Sequence, residues 1–359
     1  MAQEAATAEA HRRVPRLLIQ LAPPGSGGVR DFVHCLEQEW TKLGVASVSM
    51  TLSKREAQAA SLHDRVAALR HDTTQSCSLV LHFSGYGYGE RGVCLWLLDE
   101  LQALRAAMPR QLRLIVVFHE LFASGPPWRS AFWLAGVQRW IATRLAQMAD
   151  ELWTNTAQHA VWLRSVRGAP ATVHLRPVFC NVGEPGSTPV ASTRRPTAVI
   201  FGAASTRQRV CNALGGHAGE LHRQGVTAVV EVGPGPVSQL ATVGLPHHHL
   251  GRLEPDALST LLRTSRFGLL DYPAELLGKS GVFAAYAAHG CVVLNTGSSE
   301  PPSDGLKAGE THLSLADLRH RPPFIVSAGW HDQVGQQLAR WYAPHRLSEQ
   351  ARTLLALAA

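Results

Sequence analysis

Lysine is scarce in this chain of 359 residues, whose 34 basic residues are almost all arginines. The arginines do not form runs, and no motif of a DNA- or RNA-binding module accompanies them. We therefore predict no nucleic-acid partner. The net charge of +7 favours an anionic substrate, although a basic balance also suits a membrane surface. The only lysines are Lys42, Lys54, Lys279 and Lys307.

Cysteine is also sparse, with six residues that are scattered and lack CxxC spacing. This pattern is typical of small buried side chains rather than of disulfides or zinc ligands. The sequence HELFA, which begins at His119, lacks the second histidine of a zinc-binding HExxH motif. Three consecutive histidines, 247–249, have diverging side chains and do not suit a shared metal ion. We predict no bound metal and no cofactor.

Long apolar runs are absent, and the runs at Leu114–Phe118 and Ala198–Phe201 have only the length of a strand. The first residues lack the apolar stretch of a secretion signal, so we expect a cytoplasmic protein with a disordered tail over residues 1–14. Peripheral contact with a membrane is compatible with the sequence, but no feature of it indicates such contact.

Hydrophobic residues make up 45% of the chain and charged residues 17%, which is typical of a folded protein. Strand-like apolar runs alternate with helical patterns, which predicts parallel sheets covered by helices on both faces. The predicted strands are Leu17–Leu21, Val48–Thr51, Leu79–Phe83, Leu114–Phe118, Leu152–Asn155, Val173–Val178, Ala198–Gly202, Val229–Gly233, Phe267–Tyr272, Val292–Thr296 and Phe324–Ser327.

A segment rich in Gly, Pro, Ser and Thr, Cys180–Pro196, interrupts this alternation, which then restarts. We therefore predict an α/β fold of two facing Rossmann-like domains with an inter-domain cleft. The predicted boundaries are an N-terminal domain over residues 15–185, a linker over 186–196, a C-terminal domain over 197–335, and helices over 336–359. We expect the final helix to pack back toward the N-terminal domain, and capping of the C-terminal domain alone is the alternative.

Two loops of the N-terminal half carry candidate site residues. Gly27 and Gly28 follow the first predicted strand and precede a helix, a pattern that suits close approach of the backbone to a phosphate or a sugar. A plain turn without a ligand is the alternative. His119 and Glu120 end a strongly apolar strand, where polar side chains are costly unless they are paired or functional. A satisfied strand-end histidine is the alternative there.

Two further loops lie in the C-terminal half. Arg207 and Arg209 begin a predicted helix and have the geometry to clamp a diphosphate, although arginine at a helix start is also common on solvated surfaces. Lys279, Ser280 and Gly281 form a turn before a helix rich in small residues, where aligned N–H groups attract an anion. Pro273 stands where a P-loop requires glycine, which excludes the NTPase interpretation.

Taken together, these loops resemble the GT-B glycosyltransferases, especially the retaining family 4 group, over about residues 16–357. The resemblance implies that Gly27, Gly28, Arg207 and Arg209 meet the phosphates and sugar of a nucleotide diphosphate sugar. It implies that His119 contacts the sugar near the reaction centre. The segment Gly251–Leu262 resembles the loop and helix beside the nucleotide base.

The sequence departs from this group at one position. The group carries two glutamates before the small-residue helix, and Glu275 matches the first, but Phe283 or Ala285 stands in place of the second. The resemblance implies a divergent glycosyltransferase, with the acceptor near 85–92 and 123–133. A nucleotide-sugar epimerase of the same fold, and a non-catalytic nucleotide-binding protein derived from a transferase, are the alternatives.

Overall fold

The chain folds into two compact units. The computed structural model describes residues 16–123, 128, 130–168, 172–237, 244–297, 303–320 and 328–359. The first unit comprises the chain up to Thr154, His159–Leu175 and Ala351–Ala359, and the second comprises Asn155–Gln158 and Arg176–Gln350. None of the described helices is long and apolar enough to cross a membrane.

The first unit is built on a sheet of six parallel strands. The strands are β1 (Leu17–Ala22), β2 (Ser47–Thr51), β3 (Cys77–Phe83), β4 (Leu112–Phe118), β5 (Glu151–Thr154) and β6 (Val173–Leu175), in the order β2-β1-β3-β4-β5-β6. The helices between them are α1 (Gly28–Lys42), α2 (Lys54–Ala59), α3 (Leu62–Leu69), α4 (Gly85–Tyr88), α5 (Leu95–Ala107), α6 (Ser130–Met148) and α7 (Ala157–Arg167).

The second unit repeats this architecture. Its strands are β7 (Arg195–Phe201), β8 (Ala228–Val232), β9 (His247–His249), β10 (Ser265–Leu270), β11 (Val292–Asn295) and β12 (Leu313–Ser314), in the order β12-β11-β10-β7-β8-β9, all parallel. Its helices are α8 (Ala204–Leu214), α9 (Ala218–Arg223), α10 (Pro255–Thr264), α11 (Gly281–Ala288), α12 (Leu315–His320) and α13 (Ala328–Tyr342), and helix α14 (Leu347–Ala358) ends the chain.

The predicted fold class is confirmed, because each unit is a parallel sheet with helices on both faces. In β7, Val199 and Phe201 join one hydrophobic cluster, whereas Ala198 and Ile200 join another. This double burial explains the continuous apolar runs of the strands. The short edge strands β9 and β12 were not predicted, and the predicted strand at 324–327 lies outside the described residues.

The segment predicted as a linker belongs to the second unit in the structure. Hydrogen bonds within that unit hold it: the Ser192 amide and hydroxyl donate to Asp332 at 2.6 and 2.7 Å, and the Arg194 guanidinium donates to the carbonyl of His289 at 2.8 Å. Composition alone predicted a linker because it shows turn residues but not these long-range partners.

The two last helices belong to different units. Trp341, in α13, donates its indole N–H to the carbonyl of Asp304 at 2.7 Å in the second unit. Most of α14 is grouped with the first unit, where the Trp40 indole donates to the carbonyl of Ala351 and the Ser78 hydroxyl to that of Ala358. These buried bonds join sequence-distant elements of the first unit.

Buried histidines make the stability of the protein depend on pH. His312 and His331 are 1% and 2% exposed, and burial lowers the pKa of each from 6.5 to about 4. The unfolded chain therefore binds protons below pH 6.5 that the folded protein binds only near pH 4. The neutral histidines favour folding fully above pH 6.5 and lose this contribution as the pH falls toward 4. Between pH 6.5 and 4, we expect each of these two histidines to lower the free energy of unfolding by roughly 1 kcal/mol for every unit by which the pH falls.

Urea unfolding at a series of pH values measures this dependence. Replacing His331 by asparagine should reduce the slope of the free energy of unfolding against pH. The variant lacks one of the histidines that bind a proton in the unfolded chain but not in the folded protein. His248→Asn is the matched control, since His248 is exposed, and its slope should equal that of the wild type. Equal slopes for both variants would contradict the assignment to His331.

Candidate functional site

The loops after β1, β3 and β4 lie at the carboxyl edge of the first sheet. The chain passes from β1 to β2 on one side and then returns to pair β3 with the other side of β1. Ligands of open parallel sheets bind outside the carboxyl ends of the strands at such a reversal of strand order. The structure therefore brings the predicted residues Gly27, Gly28, His119 and Glu120 to one edge.

Gly27 and Gly28 leave the backbone of their loop open to solvent. Gly27 caps α1 with a φ of 136°, a conformation that favours glycine. A Cβ added to either glycine would meet no atom within 4 Å, so neither is needed for packing. The first N–H groups of α1 have no acceptor within the helix and are directed toward this loop. The loop is suited to a phosphate or a sugar hydroxyl.

The segment after β3 supports this glycine loop. The Tyr88 hydroxyl donates to the carbonyl of Leu21 at 3.2 Å. A Cβ on Gly87 would lie 2.7 Å from the Cβ of Pro23, so only glycine fits at this contact. Residues 85–92, which the sequence analysis assigned to the acceptor side, thus brace the loop that carries Gly27.

His119 belongs to a chain of buried polar side chains. Its Nε2 lies 3.2 Å from Nδ1 of His82, whose Nε2 lies 3.1 Å from Oε1 of Gln20. The Gln20 amide nitrogen donates to the carbonyl of Val33 and to the hydroxyl of Ser49. His82 and Gln20 are fully buried, and His119 is 8% exposed. The sequence analysis missed both inner residues, although each is a polar side chain within an apolar strand.

This chain fixes the ring proton of His119. Because the Gln20 nitrogen donates, its oxygen accepts, so Nε2 of His82 carries the proton and Nδ1 of His82 accepts. Burial, followed by the neighbouring His119, holds the pKa of His82 well below its usual value and keeps the ring neutral. His119 then donates to His82 through its Nε2, and this bond orients the His119 ring. Such an orienting partner is typical of functional histidines.

Glu120 differs from His119 in its environment. It is exposed, and its Oε2 accepts a hydrogen bond of 2.8 Å from the hydroxyl of Ser84. Ser84 directly follows β3 and Glu120 follows His119 after β4, so this bond links two neighbouring loops. The carboxylate is held in position yet is accessible to a ligand.

Gln138 holds the surrounding loops together. Its amide nitrogen donates to the carbonyl of Arg91 at 2.6 Å, and its oxygen accepts from the amide of Ala123 at 2.6 Å. A Cβ on Gly92 would lie 2.8 Å from the same side chain. Gln138 is 3% exposed, so both of its polar groups are satisfied inside the protein. It joins α6 to the loops that follow β3 and β4.

In the second sheet the strand order reverses between β7 and β10. Arg207 and Arg209, in α8, follow β7, and the segment 274–281 follows β10. Arg209 and Asp271 link the two loops through an ion pair of 3.9 Å, and Asp271 also accepts from the hydroxyl of Thr296 at 2.7 Å. The sequence analysis did not select Asp271, although it directly follows the apolar strand β10.

Arg207 and Arg209 have different environments. Arg207 is fully buried, where its guanidinium pairs with Glu231 and donates to the carbonyls of Gly202, Pro234 and Gly235. These contacts give it a structural role, which departs from the predicted diphosphate clamp. The Arg209 side chain is 52% exposed. Arg209 is therefore the member of the pair that can reach a ligand.

The turn at Lys279 ends in the start of α11. Ala274–Lys279 form a 3₁₀ helix, which includes the half-buried Glu275. The Ser280 amide donates to Leu277 at 3.0 Å, and its hydroxyl caps α11 by accepting from the amide of Phe283. Both polar groups of Ser280 thus serve the turn itself. The first N–H groups of this helix, which have no backbone acceptor within the helix, begin at Gly281, and a Cβ added to Gly281 would meet no atom within 4 Å.

Asp304 packs closely against the turn at Gly278. A Cβ on Gly278 would lie 2.8 Å from Oδ2 of Asp304 and 2.9 Å from the carbonyl of Asn155. Asp304 also accepts from the amide of Ala157 at 2.6 Å. Burial raises the pKa of its carboxyl above the usual value. Only glycine fits before Lys279, which explains the glycine of the GKSG sequence.

The remaining candidate positions of the second unit are Gly251 and the two positions that match the absent second glutamate. Gly251 has a φ of 69° and accepts from the amide of Gly233 at 2.8 Å, which joins the loops after β8 and β9. Phe283 and Ala285 are fully buried within α11. Neither position can present a side chain to a ligand, so the departure from the two-glutamate pattern is part of the core packing.

No protein-family model and no curated protein sequence matches the chain. Solved structures match it over nearly its whole length. Trehalose 6-phosphate synthase from Burkholderia multivorans is 13% identical with a TM-score of 0.57, and the match covers 96% of this chain and 98% of that chain. HepE from Anabaena, in complex with UDP and glucose, is 11% identical with a TM-score of 0.58, covering 95% and 100%.

A third structure is an alpha-glucosyltransferase in complex with UDP and DNA containing an HMU base. It is 10% identical with a TM-score of 0.57, and the match covers 96% of this chain and 100% of that chain. The fold is that of the GT-B glycosyltransferases. At identities of 10–13% the likeness concerns the fold, and the GT-B architecture that the sequence predicted is confirmed. The activity is argued from the residues of the site.

Proposed function

We propose that this GT-B protein transfers a sugar from a nucleotide diphosphate sugar to an acceptor hydroxyl. The observation that carries the proposal is that Arg209, Lys279 and the start of α11 all follow β7 or β10, the neighbouring strands between which the order of the second sheet reverses. Two cations and a helix N-terminus at one edge suit a diphosphate. The second half of the chain would therefore hold most of the donor.

Electrostatic stabilisation of the leaving group would drive the reaction. As the bond between the anomeric carbon and the diphosphate oxygen breaks, negative charge develops on the diphosphate. Arg209, Lys279 and the N–H group of Gly281 would balance this charge without a bound metal. The acceptor oxygen forms the new bond to the anomeric carbon, and its hydroxyl proton is released. Arg207 would act indirectly, since it fixes the loop beside Gly233.

The first half of the chain would orient the reacting groups. His119, which is oriented through its Nε2 by His82 and Gln20, would contact a hydroxyl of the sugar. Glu120, held by Ser84, would orient a second hydroxyl of the sugar or of the acceptor. The glycine loop at Gly27 and Gly28 would approach the donor through its backbone. Retention of anomeric configuration is proposed from the resemblance to the family 4 group.

Uridine diphosphate is the nucleotide that we propose first. The HepE and alpha-glucosyltransferase structures are both complexes with UDP. In this chain the turn at Gly251 and the following helix α10 would lie beside the base, and Glu275 would contact the sugar. A thermal-shift series with UDP, GDP, ADP and their glucose conjugates tests this choice, because a bound ligand raises the melting temperature according to its affinity.

Turnover distinguishes the remaining possibilities. We expect slow release of the nucleotide diphosphate from the cognate nucleotide sugar in a chelating buffer, with water as the acceptor. Proton NMR of the first sugar released would report retention or inversion. Conversion of the sugar within an intact nucleotide sugar would instead indicate an epimerase. Binding without any turnover would indicate a non-catalytic protein.

Replacing Lys279 by alanine should weaken binding of the nucleotide diphosphate by about 10- to 150-fold, the range of a charge-assisted hydrogen bond. Lys279 lies two residues before Gly281, the first residue of α11, so an anion bound in the turn would interact with both the ammonium group and the N–H groups of the helix start. Isothermal titration calorimetry with UDP measures the change.

Lys307→Ala is the matched control for this measurement. Lys307 is another lysine of the second unit, 62% exposed and paired with Glu310 three residues away. Its replacement should leave UDP affinity unchanged. Equal affinities for Lys279→Ala and the wild type would show that the turn is structural and that the phosphates bind elsewhere.

A further inference from the structure

Helix α6 carries an exposed row of large apolar side chains, which we call the aromatic face. Trp133, Val137 and Trp140 follow one another at intervals of four and three residues, so they lie on one side of the helix. Their exposures are 73%, 38% and 52%. Phe132 flanks the row and meets Trp133 edge-on, with the centroids of the two rings 5.4 Å apart. Trp128, just before the helix, is 83% exposed.

The opposite side of α6 already packs into the core of the first unit. Ile141, Ala142 and Leu145 are fully buried in that core, and Gln138 bonds to neighbouring loops. The aromatic face is therefore not needed to hold the helix. Large exposed aromatic side chains gathered in this way indicate an interaction surface, because scattered single residues are the norm on protein surfaces.

The charges of the segment that carries the aromatic face have one sign. Between Trp128 and Ala149 the sequence contains three arginines and no aspartate or glutamate. Arg139 and Arg144 are exposed on the same helix as Trp140. Arg144 lies four residues after Trp140, in line with the row, and Arg139 lies on its flank. The surface is thus apolar in the middle and cationic at its margins.

We propose that the aromatic face docks the protein on an anionic lipid bilayer. Indole rings prefer the boundary between headgroups and acyl chains, and nearby arginines are attracted to anionic headgroups. A helix with its other side fixed in a protein core can enter only this boundary region, which agrees with the absence of a membrane-spanning helix among the described ones. This inference goes beyond glycosyl transfer and does not depend on it.

Vesicle co-sedimentation tests the proposal. The wild type should bind vesicles that contain both phosphatidylglycerol and phosphatidylcholine, and it should bind pure phosphatidylcholine vesicles less strongly. Binding to the anionic vesicles should weaken as the salt concentration increases. The double variant W133S/W140S should lower the partition coefficient about 100-fold, about tenfold for each ring removed from lipid. Vesicles with brominated acyl chains should quench tryptophan fluorescence of the wild type and not of the variant.

The double variant L43S/V161S is the matched control. Both residues are exposed apolar side chains outside α6, and Val161 is 65% exposed. This variant should bind vesicles like the wild type, and circular dichroism and melting temperature establish that both variants fold. Absence of vesicle binding by the wild type overturns the proposal. Sedimentation velocity without lipid gives a second decisive outcome, since self-association abolished by W133S/W140S would make the face a dimer interface instead.

Discussion

Replacing Glu231 by alanine should lower the free energy of unfolding by about 3–5 kcal/mol, because it leaves a buried guanidinium without its carboxylate. The side chains of Arg207 and Glu231 have no exposure to solvent. Glu231 also accepts from the amide of Val237 at 3.1 Å and lies 3.1 Å from Nε2 of His247. Its removal therefore leaves several buried donors unsatisfied. Urea unfolding followed by circular dichroism measures the loss.

Glu310→Ala and Glu231→Gln bracket this result. Glu310 pairs with Lys307, and the two side chains are 51% and 62% exposed, so its replacement should cost less than about 1 kcal/mol. Glu231→Gln keeps the shape and one acceptor oxygen and should give an intermediate loss. If Glu231→Ala were no more destabilising than Glu310→Ala, Arg207 would have to reach water or another acceptor, and the pair of Arg207 and Glu231 would not hold the loop at Gly233.

The contrast between Arg207 and Arg209 shows that a sequence pattern can locate two arginines without predicting which of them is buried. Both residues lie in the first half of α8, and the sequence analysis treated them as a pair. Residues two apart on a helix point in directions about 200° apart, so one faces the sheet when the other faces solvent. Which of them is buried depends on Glu231, a carboxylate inside β8 that only the folded chain brings beside Arg207.

The strands were predictable where burial on both faces makes them continuously apolar. β3 is buried at every position, and the sequence analysis found it. β9 consists of three histidines at an edge of the second sheet, so apolar patterning carries no signal for it. Its pairing with β8, in which Val229 lies opposite His247, is a tertiary contact that local sequence does not encode.

The candidate site was predictable at the ends of strands and not within them. Gly27, His119 and Lys279 follow strands, where loops of a parallel sheet carry ligand-binding residues. Gln20 and His82 lie inside β1 and β3, and their connection to His119 depends on how these strands align. A polar residue within an apolar strand was the available signal. It indicates a buried partner without identifying that partner.

The proposed role of His119 leads to the largest expected effect on turnover. His119→Ala should lower kcat for release of the nucleotide diphosphate by about 100- to 1000-fold, the range for loss of one preorganised group that acts in the transition state. KM should change little, because the phosphates would bind to the second half of the chain. Coupled detection of UDP, with the nucleotide sugar that gives the largest thermal shift, measures both constants.

Two further variants separate a positioning effect from a structural one. His82→Ala removes the partner that fixes the ring proton of His119 and should lower kcat by about tenfold while changing the pH profile. His63→Ala, at an exposed histidine of the first unit, should leave both constants unchanged. Melting temperatures identify any variant that fails to fold. If His119→Ala folds and turns over like His63→Ala, the buried chain only stabilises the first sheet, and the reacting sugar is oriented by other residues of this edge.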